Sequence, residues 1–93
     1  MYSFVVKILI NGIILREVAI MFALEYREIG LKISYYRKKR GYTQAQLAEK
    51  VEISTNYMGM IERGNAGKSY SLETFLSIVK ALDIDAKDLV KDL

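Results

Sequence analysis

The 93-residue chain contains no cysteine and no histidine. The absence of cysteine excludes disulfides, thiolate metal sites and cysteine nucleophiles. The absence of histidine removes the usual general base and the commonest metal ligand, and with them any serine–histidine triad. No other group of side chains indicates catalysis, so the sequence predicts a non-enzyme that needs no metal and no cofactor. A chain without cysteine also suits the reducing cytoplasm.

The composition is that of one small globular domain. Hydrophobic residues make up 52% of the chain and charged residues 27%, which is typical of a folded protein with a modest core. The formal net charge is only +3, but the charge is unevenly distributed. Five cations occur within nine residues that contain no acid: Lys32, Arg37, Lys38, Lys39 and Arg40. Such a cluster either attracts a polyanion or forms a solvated helix face.

The most apolar stretch is FVVKILINGIILREVAIMFAL, residues 4–24. It is a poor membrane span, because Lys7, Arg16 and Glu17 would each cost about 2.5–3.5 kcal/mol near the bilayer centre. It is also unlike a secretory signal, since no basic residue precedes the apolar run. The sequence therefore predicts no association with a membrane.

Two patterns compete within this stretch. Asn11-Gly12 lies between β-branched, apolar runs, which is the strongest short signal for a hairpin. The helical alternative is a stripe spaced three or four residues apart. We expect a β-hairpin as far as about Val18 and a helix from about Met21. The stripe consists of Leu15, Val18, Phe22, Tyr26, Ile29 and Ile33.

An isolated hairpin is marginal in water and leaves its strand edges open. Residues 1–24 are therefore expected to form an apolar N-terminal arm, separate from a domain at residues 25–93. Three roles remain for the arm. It forms a dimer with a second copy, it folds back on its own domain, or it is a poorly ordered extension ahead of a functional start at Met21.

Residues 25–93 show helical periodicity and signals for five helices. The first helix is expected to end near Arg40, at Gly41. Thr43, with Gln46 three residues on, predicts a capping box that opens the second helix. Ser54, Ser71 and Asp85 are expected to open the other three. The predicted inward-facing residues are Ile29, Ile33, Tyr36, Leu47, Ala48, Val51, Tyr57 or Met58, Ile61, Leu72, Phe75, Leu76, Val79, Leu82, Leu89, Val90 and Leu93.

The second and third helices are short and separated by only three residues, which predicts a helix-turn-helix unit. Thr55, Asn56 and Gly59 are expected to face outward at the start of the third helix, with Met60 one turn further on. Short side chains that form hydrogen bonds suit a helix that enters the major groove of DNA. The alternative is that the unit is only a structural corner.

Two stretches of the chain carry a family motif: IGLKISYYRKKRGYTQAQLAEKVEISTNYMGMIERG and SLETFLSIVKALDID. They resemble the lambda-repressor-like helix-turn-helix family, also called the Cro/repressor or XRE type, over about residues 29–91. The resemblance implies a mainly α, five-helix fold that binds double-stranded DNA. The matching elements, in order, are the basic first helix, Gly41, Thr43-Gln44, Leu47-Ala48, Ser54 and Ile61-Glu62-Arg63-Gly64.

By the same resemblance, Thr55, Asn56 and Met60 match the positions that contact base edges. An asparagine can pair with adenine through two hydrogen bonds, and Thr55 and Met60 offer apolar contact to a thymine methyl group. The positions that contact the DNA backbone are matched by Gln44, Ser54, Asn65 and Lys68. Gln44 is expected to bind a phosphate at the start of the second helix.

The resemblance also implies an ion pair between Arg37 and Glu62 that ties the first helix to the third. The chain departs from the family at three places. Glu52 stands where the turn usually has a glycine, Gly59 lies inside the third helix, and AGKSYS lacks the proline common before the fourth helix. Glu52, an acid near the DNA, and Gly59, which makes the third helix less rigid, are expected to lower the affinity of the protein for DNA.

These observations together predict a sequence-specific regulator of transcription that binds duplex DNA as a homodimer on an inverted repeat, most simply as a repressor. The alternative is an antitoxin-like or inhibitory module that binds another protein through residues 1–24.

Overall fold

The computed structural model describes residues 4–64 and 70–93, with side chains described from Phe22 onward. The described residues form five helices and no strand, which confirms the prediction of a mainly α, five-helix fold. The helices are α1 (Phe4–Lys39), α2 (Gln44–Lys50), α3 (Thr55–Glu62), α4 (Leu72–Leu82) and α5 (Ala86–Val90).

The prediction of a hairpin at Asn11-Gly12 is wrong, and so is the predicted helix start near Met21. Residues 4–39 form one continuous helix of 36 residues. Once a helix exists, each added residue gains a backbone hydrogen bond, whereas a lone hairpin would leave two strand edges unpaired. The stripe that starts at Leu15 is therefore the pattern that the chain follows.

The length of α1 determines the shape of the molecule. A helix of 36 residues is about 54 Å long. The molecule measures 59 Å in its longest dimension and 27 Å in the next, so α1 runs along nearly its whole length. Its second half packs on the other helices, and residues 4–21 continue along the same axis. Among the described residues, no helix combines the length and apolarity needed to cross a bilayer.

The predicted helix boundaries in the body are confirmed. The backbone N–H of Gln46 donates to the Thr43 hydroxyl over 3.1 Å, and the Gln46 side chain accepts from the Thr43 N–H over 2.9 Å. The Ser54 hydroxyl accepts from the third residue of α3, and the Ser71 hydroxyl does the same in α4. These caps satisfy N–H groups that have no partner within the helix. They make the short α2 and α3 begin at defined residues.

The core lies where α1, α2 and α3 meet α4 and α5. Each fully buried aliphatic side chain contributes about 1.5–3 kcal/mol to folding, so this cluster holds helices that are too short to be stable alone. Most of its members were predicted to face inward. The buried apolar residues are Ile33, Leu47, Ala48, Met58, Ile61, Ile78, Val79, Leu82 and Leu89.

The predicted inner face of α4 is partly wrong. Leu72 is 70% exposed and Leu76 is 42% exposed, whereas Ile78, which was not predicted, is fully buried. The helix carries two adjacent apolar rows, and the body covers only the row that includes Ile78. Val90 and Leu93, at the end of the chain, are also exposed and not buried as predicted.

Gly30 lets α1 lie directly against the end of α3. A Cβ atom at position 30 would lie 2.5 Å from the backbone oxygens of both Ile61 and Glu62. Real Cβ atoms do not come this close to backbone, so any larger residue would push the two helices apart. The position of α3 on α1 therefore depends on a glycine at this point.

The turn between α2 and α3 contains a strained residue. Glu52 has a φ of 60°, in the left-handed region that costs a non-glycine residue about 1–2 kcal/mol. The strain is held in place by the turn's hydrogen bonds, from the Glu52 N–H to the Glu49 oxygen and from the Ile53 N–H to the Ala48 oxygen.

Alanine at two helical glycines should change stability in opposite directions. Gly30→Ala should lower the free energy of unfolding by about 1–3 kcal/mol, because it overpacks a backbone contact. Gly59→Ala should leave it unchanged or raise it by up to about 1 kcal/mol, since alanine is the better helix former and meets only side-chain tips. Urea unfolding at a fixed protein concentration measures both. A Gly30→Ala protein as stable as the wild type would contradict the close approach.

Glycine at position 52 should stabilise the protein. Glu52→Gly removes the left-handed strain, and we expect a gain of about 1 kcal/mol. Glu49→Gly, in the adjoining helix, is the matched control and should cost about 1 kcal/mol. Thermal unfolding of both variants checks the prediction, and a loss of stability in Glu52→Gly would show that the turn is unstrained.

Candidate nucleic-acid interface

The candidate interface is formed by the starts of α2 and α3. Thr55 and Asn56 occupy the first turn of α3, directly after the capping Ser54, and all three are exposed. Met60 is half-buried one turn further on. Asn65 and Lys68, also predicted to contact DNA, lie outside the described residues. The structure thus brings four predicted residues together on one short helix and its cap.

Gly59 does not face outward as predicted, because it is buried. A Cβ atom there would lie 3.1 Å from Nη1 of Arg63 and 3.5 Å from Oε1 of Gln44. Both polar side chains therefore lie across the backbone of α3 at this residue. Gly59 makes room for them and does not itself form part of the surface.

An ion pair between Arg37 and Glu62 lies beneath this surface. The Arg37 guanidinium donates from Nε to Glu62 Oε2 over 2.6 Å and from Nη2 to Oε1 over 3.1 Å. The two side chains are only 11% and 4% exposed. Such paired, charge-assisted bonds constrain both distance and angle. The ion pair therefore fixes the end of α3 against α1.

The same two residues also hold the start of α2. Nη1 of Arg37 donates to the backbone oxygen of Tyr42 over 2.8 Å, just before the helix. Nε2 of Gln44 donates to Glu62 Oε1 over 3.1 Å. An amide nitrogen has two protons, so this bond leaves Gln44 one N–H for another acceptor. The buried ion pair thereby orients a side chain that was predicted to bind phosphate.

Arg63 is a surface cation to which the sequence analysis assigned no contact. It is exposed, and its guanidinium lies beside the Gln44 amide above Gly59. The spacing of four residues between Gly59 and Arg63 was the available signal, because residues four apart meet on one face of a helix. Arg63 adds a positive charge beside the first turn of α2.

Three of the five cations clustered at residues 32–40 have hydrogen-bond partners in other parts of the fold. Arg37 is ion-paired, and Arg40 donates to the backbone oxygens of Leu82 and Asp83 over 2.8 Å each, at the end of α4. The Lys32 ammonium donates to the backbone oxygen of Lys91. The cluster therefore ties the ends of α4 and α5 to α1, a role that neither sequence interpretation included.

Removing one member of the ion pair should lower the free energy of unfolding strongly, whereas replacing both members with apolar residues should not. Arg37→Ala leaves Glu62 buried without its charge partner and should lower the free energy of unfolding by about 3–5 kcal/mol. The double variant Arg37→Met, Glu62→Leu should recover most of that loss, since it removes both charges. Urea unfolding compares the two. If Arg37→Ala costs less than the double variant, the ion pair does not hold the fold in this way.

The sequence matches the helix-turn-helix family over residues 33–89. It is 33% identical over 64 residues to the HTH-type transcriptional regulator SinR of Bacillus licheniformis, covering 69% of this chain and 57% of SinR. It is 39% identical over 62 residues to the immunity repressor protein of Bacillus phage phi105, covering 67% of this chain and 42% of the repressor. The chain thus spans about half the length of these relatives.

Solved structures share the fold. The restriction-modification controller protein C.AhdI of Aeromonas hydrophila superposes with a TM-score of 0.65 at 29% identity, covering 71% of this chain and 97% of C.AhdI. A complex of SinR with SinI matches with a TM-score of 0.62 at 33% identity, covering 69% of this chain and 61% of the matched chain. Motif, fold and relatives agree: the chain belongs to the lambda-repressor-like (XRE-type) helix-turn-helix family.

Proposed function

We propose that this protein is a sequence-specific regulator of transcription that binds double-stranded DNA through α2 and α3. The observation that carries the proposal is the α3 surface, where exposed Thr55 and Asn56 stand on a helix that a buried ion pair holds in place. The relatives described as a transcriptional regulator and an immunity repressor support this class of function. The immunity repressor favours repression, and the cysteine-free composition suits action in the cytoplasm.

Thr55, Asn56 and Met60 are the residues proposed to contact bases. Asn56 supplies a donor and an acceptor for adenine, and Thr55 and Met60 supply apolar surface for a thymine methyl group. Because Met60 is half-buried, it contributes contact area at the edge of this surface. Sequence choice would then depend chiefly on the first turn of α3.

Gln44 and Ser54 are proposed to contact the DNA backbone, as are Asn65 and Lys68. Gln44 retains one amide N–H after its bond to Glu62. The Ser54 hydroxyl accepts from a backbone N–H and keeps its own proton to donate. Contacts of this kind hold the protein in register on the duplex without carrying sequence information.

We further propose that the protein binds an inverted repeat as a homodimer, which the small size of one recognition surface supports. One recognition helix reads only a few base pairs, and two half-sites about one helical turn apart multiply the discrimination. A second copy therefore turns a weak contact into a specific one.

Binding of another protein is a second candidate function, and it is compatible with the first. Apolar side chains are exposed on α4, at the end of α5 and just after it: Leu72, Leu76, Val90 and Leu93. A relative that has been solved in complex with another protein, SinR with SinI, is consistent with this candidate.

Two substitutions separate base contact from backbone contact. Binders are first selected from a random duplex library with the wild-type protein, and affinities are then measured across a salt series. Asn56→Ala should lose about 1–3 kcal/mol of discrimination at one base pair. Gln44→Ala should weaken all duplexes alike with little change in the salt slope, because a neutral amide displaces no counterion.

Ser77→Ala, on the exposed side of α4, is the matched control and should bind as the wild type does. A wild-type protein that selects no sequence would overturn the proposed function. An Asn56→Ala protein with unchanged sequence choice would overturn the assignment of the base-contacting residues.

A further inference from the structure

An apolar groove lies on the side of the molecule where α1, the start of α4 and the end of α5 meet. We call it the α1–α4–α5 groove; its volume is about 660 Å³. Phe22 and Tyr26 form the α1 side, Leu72 the α4 side, and Val90 and Leu93 the α5 side. Phe22, Leu72, Val90 and Leu93 are each more than 40% exposed. So many large apolar side chains around one depression indicate a surface that binds another chain.

The groove contains one acid, Glu25, which is the feature that selects an occupant. Its Oε2 atom is shielded from solvent and has no hydrogen-bond partner among the described residues. An unpaired carboxylate at the edge of an apolar groove favours an occupant that brings a donor or a cation. Burial raises the pKa of neighbouring Tyr70 to about 12, and Tyr26 and Tyr57 add to the shift. Tyr70 is therefore neutral and adds no competing charge.

The chain itself contains a segment with the matching chemistry. Residues 4–21 are apolar apart from Lys7, Asn11, Gly12, Arg16 and Glu17. They belong to the same unbroken helix as the α1 side of the groove, so they cannot fold back into it. Residues 7 and 25 of one helix lie about 27 Å apart. The segment can therefore reach this groove only from a second copy.

We propose that the α1–α4–α5 groove receives residues 4–21 of a second copy, through an antiparallel pairing of two α1 helices in which Lys7 of one copy meets Glu25 of the other. This inference rests on the proposed function, because the paired α1 helices would form the homodimer that binds an inverted repeat. In this register residue 16 lies at the two-fold axis but about 180° around the helix from Lys7 and Glu25, so Arg16 stays outside the contact. Residues 4–28 then overlap over about 37 Å.

This arrangement is closed. Each copy gives one helical segment and one groove, so a two-fold dimer fills both grooves and leaves neither segment to bind a third copy. The two Lys7–Glu25 pairs fix the register, since a shift by one helical turn would separate both. The same apolar residues without the charges would allow several registers.

The absence of cysteine makes a direct test simple. The double variant Lys7→Cys, Glu25→Cys should form a disulfide-linked dimer on mild oxidation. An intrachain bond is excluded, because a disulfide needs Cα atoms within about 7 Å. Lys7→Cys with Ala23→Cys is the matched control, because residue 23 lies about 200° around the helix from residue 25. It should stay largely monomeric on a denaturing gel. Equal linking of both variants, or of neither, would overturn the proposed register.

Charge reversal provides a second test, in which positions 7 and 25 both remain charged. Glu25→Lys alone should raise the dimer dissociation constant at least about tenfold in analytical ultracentrifugation, because it sets two cations together. Adding Lys7→Glu should restore dimerisation. Circular dichroism verifies that each variant is folded. A double variant that stays as weak as the single one would overturn the pairing.

The DNA selection and the disulfide test together distinguish failure of this pairing from failure of the proposed function. A wild-type protein that selects an inverted repeat yet gives no Lys7–Glu25 link would dimerise through another surface, which overturns this inference and leaves the proposed function standing. A protein that is monomeric at about 100 μM would overturn the pairing and leave the groove to a partner other than a second copy. A linked dimer that selects no DNA would uphold the pairing and overturn the proposed function.

Discussion

The bidentate ion pair between Arg37 and Glu62 is the interaction on which the arrangement of the other helices depends. It joins the end of α1 to the end of α3, and through Tyr42 and Gln44 it also fixes the start of α2. Gly30 lets α1 lie close enough to the end of α3 for Arg37 and Glu62 to form these bonds. A surface formed by two helices of seven and eight residues would have no stable orientation without such a buried anchor.

The parts of the fold that follow local rules could be predicted from the sequence. Thr43 with Gln46, Ser54 and Ser71 are capping residues whose hydrogen bonds reach only three residues along the chain. Core positions such as Leu47 and Ile61 follow from helical spacing. The resemblance to a known family supplied the partner of Arg37, which no local pattern could identify because 25 residues separate it from Glu62.

The parts that depend on neighbouring helices could not be predicted. Asn11-Gly12 has the composition of a turn, yet the helix of α1 continues through it. The two apolar rows of α4 look alike in sequence, and only the packed body determines that Leu72 is exposed and Ile78 is buried. Gly59 was assigned to the surface, but Gln44 and Arg63 cover it. At α4 and Gly59 the deciding contact comes from a residue outside the local pattern, whereas at Asn11-Gly12 the propagation of the helix decides.

We propose that α2 and α3 present the DNA-binding surface, while the α1–α4–α5 groove remains free to bind a protein chain. The most direct measurement is an NMR titration of the isotope-labelled protein with duplex DNA, following each backbone amide. We expect the largest shifts at Gln44, Thr55 and Asn56, with little change at Leu72 or Val90. Shifts concentrated along the α1–α4–α5 groove, with Thr55 and Asn56 unaffected, would contradict this proposal.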